Sequence, residues 1–154
     1  MKPEIRELNP NDLETLRELN QEVFNSDKDN IDGLDLDWPD SKTGTLYYTQ
    51  VVNKDGTVGF IAEIGNKPVG YIALCTRDLG YRTKKFVEVE NMGVKPEFRS
   101  QGIGTILLNK ATEWAKSQGA DKLLVEAFAK NTKGLDFYRQ FGFEESAVTL
   151  EKDI

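Results

Sequence analysis

Three apolar runs stand in a row with no helical pattern between them: Val58–Ile64, Val69–Thr76 and Phe86–Val94. The first two are separated by Gly65-Asn66-Lys67-Pro68, a hairpin signal. In the third, Glu88 and Glu90 alternate with valines. The pattern then changes. Gly102–Gln118 reads as a helix with Ile103, Leu107, Ala111 and Trp114 along its buried stripe and Gly119 as its C-cap. Lys122–Ala127 reads as a strand, Asn131–Phe141 as a second helix stopped by Gly142, and Glu145–Leu150 as a closing strand with Val148 and Leu150 on one face. Upstream, Glu4–Leu8 forms a short strand. Asn9 and Pro10 are the N-cap and first position of a helix running to about Phe24, carried by Leu13, Leu16 and Val23. A short helix is expected over Thr45–Asn53. The order β-α-α-β-β-β-α-β-α-β implies an α/β domain with a mixed sheet and helices on its faces. No repeat or linker divides residues 1–154, so one domain is expected.

Composition narrows the chemistry. The chain has no histidine and one cysteine. That leaves no Ser-His or Cys-His catalysis, no histidine metal site and no intramolecular disulfide, and no metal is expected. Cys75 lies in an apolar strand and reads as core. Any proton transfer falls to carboxylates, tyrosine, lysine, arginine or backbone groups. The N-terminal Met1-Lys2-Pro3-Glu4 lacks an apolar signal segment, and a cytoplasmic location is expected.

The net charge of −6 argues against nucleic acid or an anionic membrane as partner. Its distribution is uneven. Residues 1–80 hold 8 Lys/Arg against 15 Asp/Glu, a net of −7, and residues 81–154 hold 12 against 11, a net of +1. The acidity is densest at Asp27, Asp29, Asp32, Asp35, Asp37 and Asp40, in a stretch expected to be irregular. Such a run is either a solvated loop or a field that attracts a cationic substrate.

The most informative stretch is Val94-Lys95-Pro96-Glu97-Phe98-Arg99-Ser100-Gln101-Gly102-Ile103-Gly104-Thr105. A strand ends, a turn carries Arg99, and two glycines open a helix. The first N–H groups of a helix lack internal partners and sit at its positive end. Glycines let an anion come close to them. The stretch therefore reads as a phosphate cradle, or as a turn that needs small residues. It is not a P-loop, since Gly104-Thr105-Ile106 lacks the required Gly-Lys-Ser/Thr. Leu107 stands where a dinucleotide-binding loop would place its third glycine.

Arg99-x-x-Gly102-x-Gly104 resembles the acyl-CoA-binding motif of the GNAT superfamily of N-acetyltransferases. A second motif of that family is matched at the right distance by Asn131-Thr-Lys-Gly134-Leu-Asp-Phe137-Tyr138-Arg-Gln-Phe141-Gly142-Phe143, with Gly134 where the family usually has alanine. Phe60–Leu74 is similar to its central strands. The likeness runs over nearly the whole chain.

The resemblance implies a mostly antiparallel mixed sheet flanked by helices, and transfer of an acetyl group from acetyl-CoA to an amine. It implies that the backbone of Ser100, Gln101, Gly102, Ile103, Gly104 and Thr105, with Arg99, holds the diphosphate. A bulge at Met92, Gly93 and Val94 would meet the pantetheine arm and thioester, Gly93 suiting unusual backbone angles. Asn131 would hydrogen-bond pantetheine or cap its helix, and both can hold. Tyr138 would protonate the leaving thiolate, or serve only as core. The amine needs a base or a water relay, since an amine of pKa near 10.4 is almost wholly protonated at neutral pH. The carboxylates are Glu88, Glu90 and Glu126, with Glu90 and Glu126 nearest the reactive end, set against ordinary solvent-facing roles. The expected partner is a small-molecule amine or a peptide, and a homodimer is left open. The other readings are a CoA-binding sensor without turnover and an acetyltransferase for protein N-termini or lysines.

Overall fold

The computed structural model describes residues 2–154; Met1, the first residue of the expected domain, lies outside them. Five strands form one sheet in the order β1-β2-β3-β4-β5: β1 Glu4–Glu7, β2 Val58–Ile64, β3 Lys67–Arg77, β4 Phe86–Val94 and β5 Lys122–Val125. The first four pair antiparallel, and β5 lies parallel to β4. Helices α1 Leu13–Asp27 and α2 Lys42–Val52 cover one face; α3 Ile103–Ser117 and α4 Thr132–Gln140 cover the other. The expected mixed, mostly antiparallel sheet flanked by helices is what forms.

Alternation along the central strands splits the core in two. Ile61, Tyr71 and Ala73 pack under α1 and α2 with Leu8, Leu16, Leu19, Tyr48 and Val51. Phe60, Ile72, Leu74, Val87 and Val89 pack under α3 with Ile103, Leu107, Leu108 and Ala111. A strand buried on both faces must be apolar along its length, which is why β3 reads as a continuous run rather than an alternation.

Several boundaries shift for local reasons. Gly65 and Asn66 both have positive φ, 56° and 62°, the tight two-residue turn that suits the twist of a hairpin. Strand β3 therefore starts at Lys67, earlier than Val69. Pro68 is tolerated because the register shifts between Ala62 and Glu63 and interrupts the ladder there. Asn9 caps a 3-10 turn, Pro10–Asp12, that feeds α1, and Asp12 returns a bond to the Asn9 N–H at 2.8 Å. Arg6 grips Asp12 at 2.8 Å and Glu63 at 2.9 Å, and its hydrogen bonds hold the Asp12 carboxyl below its usual range. Helix α2 begins at Lys42 because the Ser41 hydroxyl accepts from the Gly44 N–H at 3.0 Å.

The closing strand over Glu145–Leu150 does not form. Every residue from Glu144 to Ile154 is exposed and outside regular structure, Val148 and Leu150 included. Alternation alone does not make a strand: among the described residues the segment pairs with no strand, although the outer edge of β5 is open.

Candidate functional site

Strand β5 pairs with β4 only from Phe86 to Val89. Beyond that point the strands part. Glu90–Val94 keep β3 on one side and, among the described residues, have no strand on the other. The slot so opened runs along the end of β4 toward the start of α3.

The chain then turns through Pro96–Phe98 and enters α3. Ser100 has φ 60° and Gly102 has φ 82°, so the backbone curls before the helix starts. No side chain caps the first turn of α3. Its leading N–H groups are left to solvent or to an anion, at the positive end of a 15-residue helix. A methyl group built on Gly102 would meet nothing within 4 Å, so the space above the turn is open. On Gly104 it would lie 3.0 Å from Phe137 and 3.4 Å from Met92. Gly104 thus lets α3 pack tightly against α4 and β4 at the mouth of the slot. Arg99 is partly committed: Nε donates to the Val94 carbonyl at 2.9 Å and Nη2 to Ser26 Oγ at 2.9 Å, tying the turn to β4 and to the end of α1. Its Nη1 has no partner among the described residues.

The expected bulge at Met92-Gly93-Val94 is displaced. These residues pair regularly with Ile72, Tyr71 and Gly70. The register shift lies between Ala73 and Leu74, opposite Asn91 and Val89, which leaves Glu90 as the extra residue. Gly93 answers to packing instead. A methyl group there would sit 2.4 Å from Val23 and 3.0 Å from Tyr71, so the glycine lets α1 cross close over β4.

Glu90 at the bulge accepts from Thr57 Oγ1 at 2.9 Å and is exposed. Asn91, next to it, faces α1. There the Asn20 amide, wholly buried in mid-helix, donates to Tyr71 Oη at 2.9 Å and to Asn91 Oδ1 at 3.2 Å, and accepts from the Tyr48 hydroxyl. Tyr71 donates to Asn91 at 2.6 Å. This network locks the bulge from behind, and sequence reasoning missed it. The signal was present: Asn20 falls on the same helical stripe as Leu16 and Leu19. The neighbouring Tyr47 hydroxyl is buried without a partner, and burial together with Glu90 raises its pKa.

Glu88 lies opposite Cys75 on the α1/α2 face. Burial raises its pKa; Arg77 opposes the rise, and Glu90 and Glu126 add to it. Arg77 Nη1 is 3.3 Å from Glu88 Oε2, near enough for charge pairing but not aligned as a hydrogen bond. The three expected carboxylates are therefore neighbours at the point where β4 and β5 part. Burial singles out Glu88, whereas Glu90 and Glu126 are exposed. Burial, with Glu90 and Glu88, pushes the Cys75 thiol up to about 12, which suits a core residue and not a nucleophile.

On the opposite face Asn131 caps α4, its Oδ1 accepting from the Gly134 N–H at 3.0 Å. A methyl group on Gly134 would fall 2.5 Å from the Asn131 amide nitrogen, so this glycine makes room for the cap rather than loosening the helix. Tyr138, half-buried between Phe137 and Phe143, points its hydroxyl at Met92 Sδ, 4.0 Å away. Burial, with Asp27 adding, pushes its pKa up to about 12. The phenol keeps its proton and spends it on a thioether, a weak acceptor.

The charged half also has structure. Trp38 anchors the acidic stretch by stacking on Phe24, with centroids 5.6 Å apart. Glu14, Glu18, Glu22 and Asp40 line a groove of about 330 Å³ beside α1, with Arg17 and Lys95.

Comparison with known proteins agrees with this geometry. Residues 13–143 match the acetyltransferase (GNAT) family. An uncharacterized N-acetyltransferase of Methanocaldococcus jannaschii is 33% identical over 108 residues, 70% of this chain and 48% of that protein. Streptothricin acetyltransferase A of Bacillus subtilis is 31% identical over 97 residues, 63% of this chain and 53% of that one. The chain thus spans about half the length of these two relatives. A Bacillus halodurans protein shares the fold with a TM-score of 0.87 at 18% identity, covering 98% of this chain and 99% of that one. So does AAC(6')-Iy in complex with the bisubstrate analogue CoA-S-monomethyl-acetylneamine, with a TM-score of 0.75 at 21% identity over 100% and 99% of the chains. No helix among the described residues is long and apolar enough to cross a membrane. The match over residues 13–143, joined to a split sheet beside an uncapped helix, places this chain in the acetyltransferase (GNAT) family.

Proposed function

We propose that residues 1–154 act as one domain that transfers an acetyl group from acetyl-CoA to an amine, and that the acceptor is a small cationic amine or a basic peptide. The observation that carries this reading is the parting of β4 from β5 after Val89, next to the uncapped α3. A thioester arm needs backbone partners along a narrow slot, and its diphosphate needs unpaired N–H groups at the slot's mouth. Both needs meet here. The solved complexes of neighbours with CoA and with a CoA–neamine bisubstrate analogue support the same donor for this chain.

The residues divide the work. Ser100–Thr105 N–H groups and the free Nη1 of Arg99 hold the diphosphate. The backbone of Met92, Gly93 and Val94 lines the pantetheine, with the Asn131 amide beside α4. When bound, acetyl-CoA supplies an activated acyl carbon. The acceptor nitrogen bonds to that carbon while the carbon–sulfur bond breaks. One of the three carboxylates takes the nitrogen's proton: Glu88, whose proton affinity burial raises, or Glu90 or Glu126, which lie toward the point where β4 and β5 part. Tyr138, whose hydroxyl has only the weak acceptor Met92 Sδ, would donate its hydrogen to the departing sulfur. The acidic groove beside α1 favours a positive acceptor.

The test is release of free thiol from acetyl-CoA with a panel of polyamines, aminoglycosides, amino acids and peptides. Turnover with a cationic member is expected. Binding of acetyl-CoA with no turnover on any member would instead mark a CoA-binding regulatory module.

A further inference from the structure

Tyr47 of α2 carries a hydroxyl that the fold leaves out. Its oxygen is shut off from solvent and has no hydrogen-bond partner among the described residues. The omission is specific. Beside it Tyr48, Asn20, Tyr71 and Asn91 satisfy one another, and Asn91 Oδ1 already takes two donors, Tyr71 at 2.6 Å and Asn20 at 3.2 Å. That oxygen has no lone pair left for Tyr47. Nor can the ring turn away to find another acceptor. Trp38 lies against it, with centroids 6.1 Å apart, and Tyr48 meets it edge-on at 5.7 Å. A buried hydroxyl without a bond destabilises the fold, and rigid packing that keeps it so calls for a partner from outside the chain.

The surroundings say which partner. Burial first, then Glu90 and Cys75 close by, raise the pKa of the phenol, and Asn91 opposes part of the rise. The phenol therefore stays neutral and keeps its own hydrogen; what it offers is an oxygen with lone pairs. Cys75 is a buried thiol and a poor partner for it. Glu90 is different. It is the extra residue of the bulge, it is exposed, and it accepts from Thr57 Oγ1 at 2.9 Å in a bond at the surface. A lone-pair oxygen beside an exposed carboxylate, where β4 leaves β5, matches a group with positive charge and more than one N–H, which is a primary ammonium. The same carboxylate repels an anion.

We propose that Tyr47 is an acceptor-binding residue: its oxygen accepts one N–H of the acceptor's amine while Glu90 faces the charge. This deepens the acetyl-transfer reading and rests on it. Access to the hydroxyl requires the Glu90 side chain to leave Thr57, a single exposed hydrogen bond. The ring itself stays where Trp38 and Tyr48 hold it, so the oxygen is in place before the amine arrives.

Tyr47→Phe on the full chain tests it, since the ring contacts survive and only the hydroxyl goes. Loss of an unbonded buried hydroxyl should raise Tm in calorimetry by about 2 °C or more. Thiol release from acetyl-CoA is then followed with spermidine, neamine and trilysine. For the best of the three, KM should rise about tenfold or more and kcat should change by less than about threefold, the mark of a lost ground-state contact. Acetyl-CoA affinity by titration calorimetry should hold. A tyrosine that only packs would lose Tm and acceptor binding together, whereas here the two move in opposite senses. An unchanged acceptor KM, or a Tm that does not rise, overturns the role of Tyr47 and leaves acetyl transfer standing. A wild type that binds acetyl-CoA and turns over none of the three amines overturns the acetyl-transfer reading, and the role of Tyr47 with it.

Discussion

Replacing Tyr138 by phenylalanine separates packing from chemistry. The ring contacts, 5.4 Å to Phe137 and 5.5 Å to Phe143 between centroids, are kept. The hydroxyl now donates only to Met92 Sδ at 4.0 Å, and a thioether is too weak an acceptor for that bond to hold the fold. Stability should therefore change by less than about 0.5 kcal/mol, or roughly 1–2 °C in Tm for a chain of this size. The departing sulfur is different, because it gains a full charge. A hydrogen bond to a charged group is worth about 1.5–3 kcal/mol, which converts to a fall of roughly 10–150-fold in kcat. Binding of acetyl-CoA should be unchanged, as the bond forms only when charge develops. Burial pushes the phenol up to about 12, so its ionisation should leave no mark on the pH–rate profile below pH 10. Thiol release with the best acceptor gives kcat, and calorimetry gives Tm and acetyl-CoA affinity. A kcat within twofold of the wild type, with the fold intact, would show that water protonates the thiolate and that Tyr138 only packs. Loss of stability beyond 2 kcal/mol would show that the hydroxyl is structural after all.

If Glu88 is the base, the wild type should show an acid limb displaced upward from the ordinary carboxylate range, and Glu88→Gln should lower kcat/KM and remove it; a limb that survives the change assigns the base elsewhere. The sign for stability is opposite: a raised carboxyl pKa contributes stability that is full below the unfolded pKa and is lost as pH rises through the folded value, so the Gln variant should gain slightly at neutral pH. Gly93→Ala drives a methyl into Val23 and Tyr71 and should cost about 1–3 kcal/mol, seen as a lower Tm in calorimetry; an unchanged Tm would mean α1 is not held close. Arg99→Ala with Gly102→Val should weaken acetyl-CoA binding, Arg99 contributing roughly 1–3 kcal/mol, and titration calorimetry showing equal affinity would remove the phosphate role. Changing Asp35, Asp37 and Asp40 together to Asn should lower kcat/KM for a cationic acceptor and spare acetyl-CoA binding. That loss should fade with salt as the Debye length falls from about 10 Å at 0.1 M to about 3 Å at 1 M.

What could be read from the chain alone was whatever rests on local chemistry. Apolar runs, caps and glycine turns placed nine of the ten expected elements near their true positions, and two spaced motifs fell on the turn at Arg99–Thr105 and the helix carrying Tyr138. These follow from neighbours in sequence: a helix start leaves its N–H groups free wherever it occurs, and period alone separates strand from helix. Tertiary structure decided what depends on residues far apart in the chain. It moved the bulge from Met92–Val94 to Glu90, because register is set by the partner strand. It gave Gly93 to packing against Val23 and Gly134 to the Asn131 cap, since a missing side chain shows its purpose only beside what fills the space. It joined Asn20, Tyr48, Tyr71 and Asn91 from four elements into one buried network, and left Glu88 less exposed than Glu90 and Glu126. It also left Glu145–Leu150 unpaired, because alternation can propose a strand but only pairing with an edge, which no local pattern encodes, makes one.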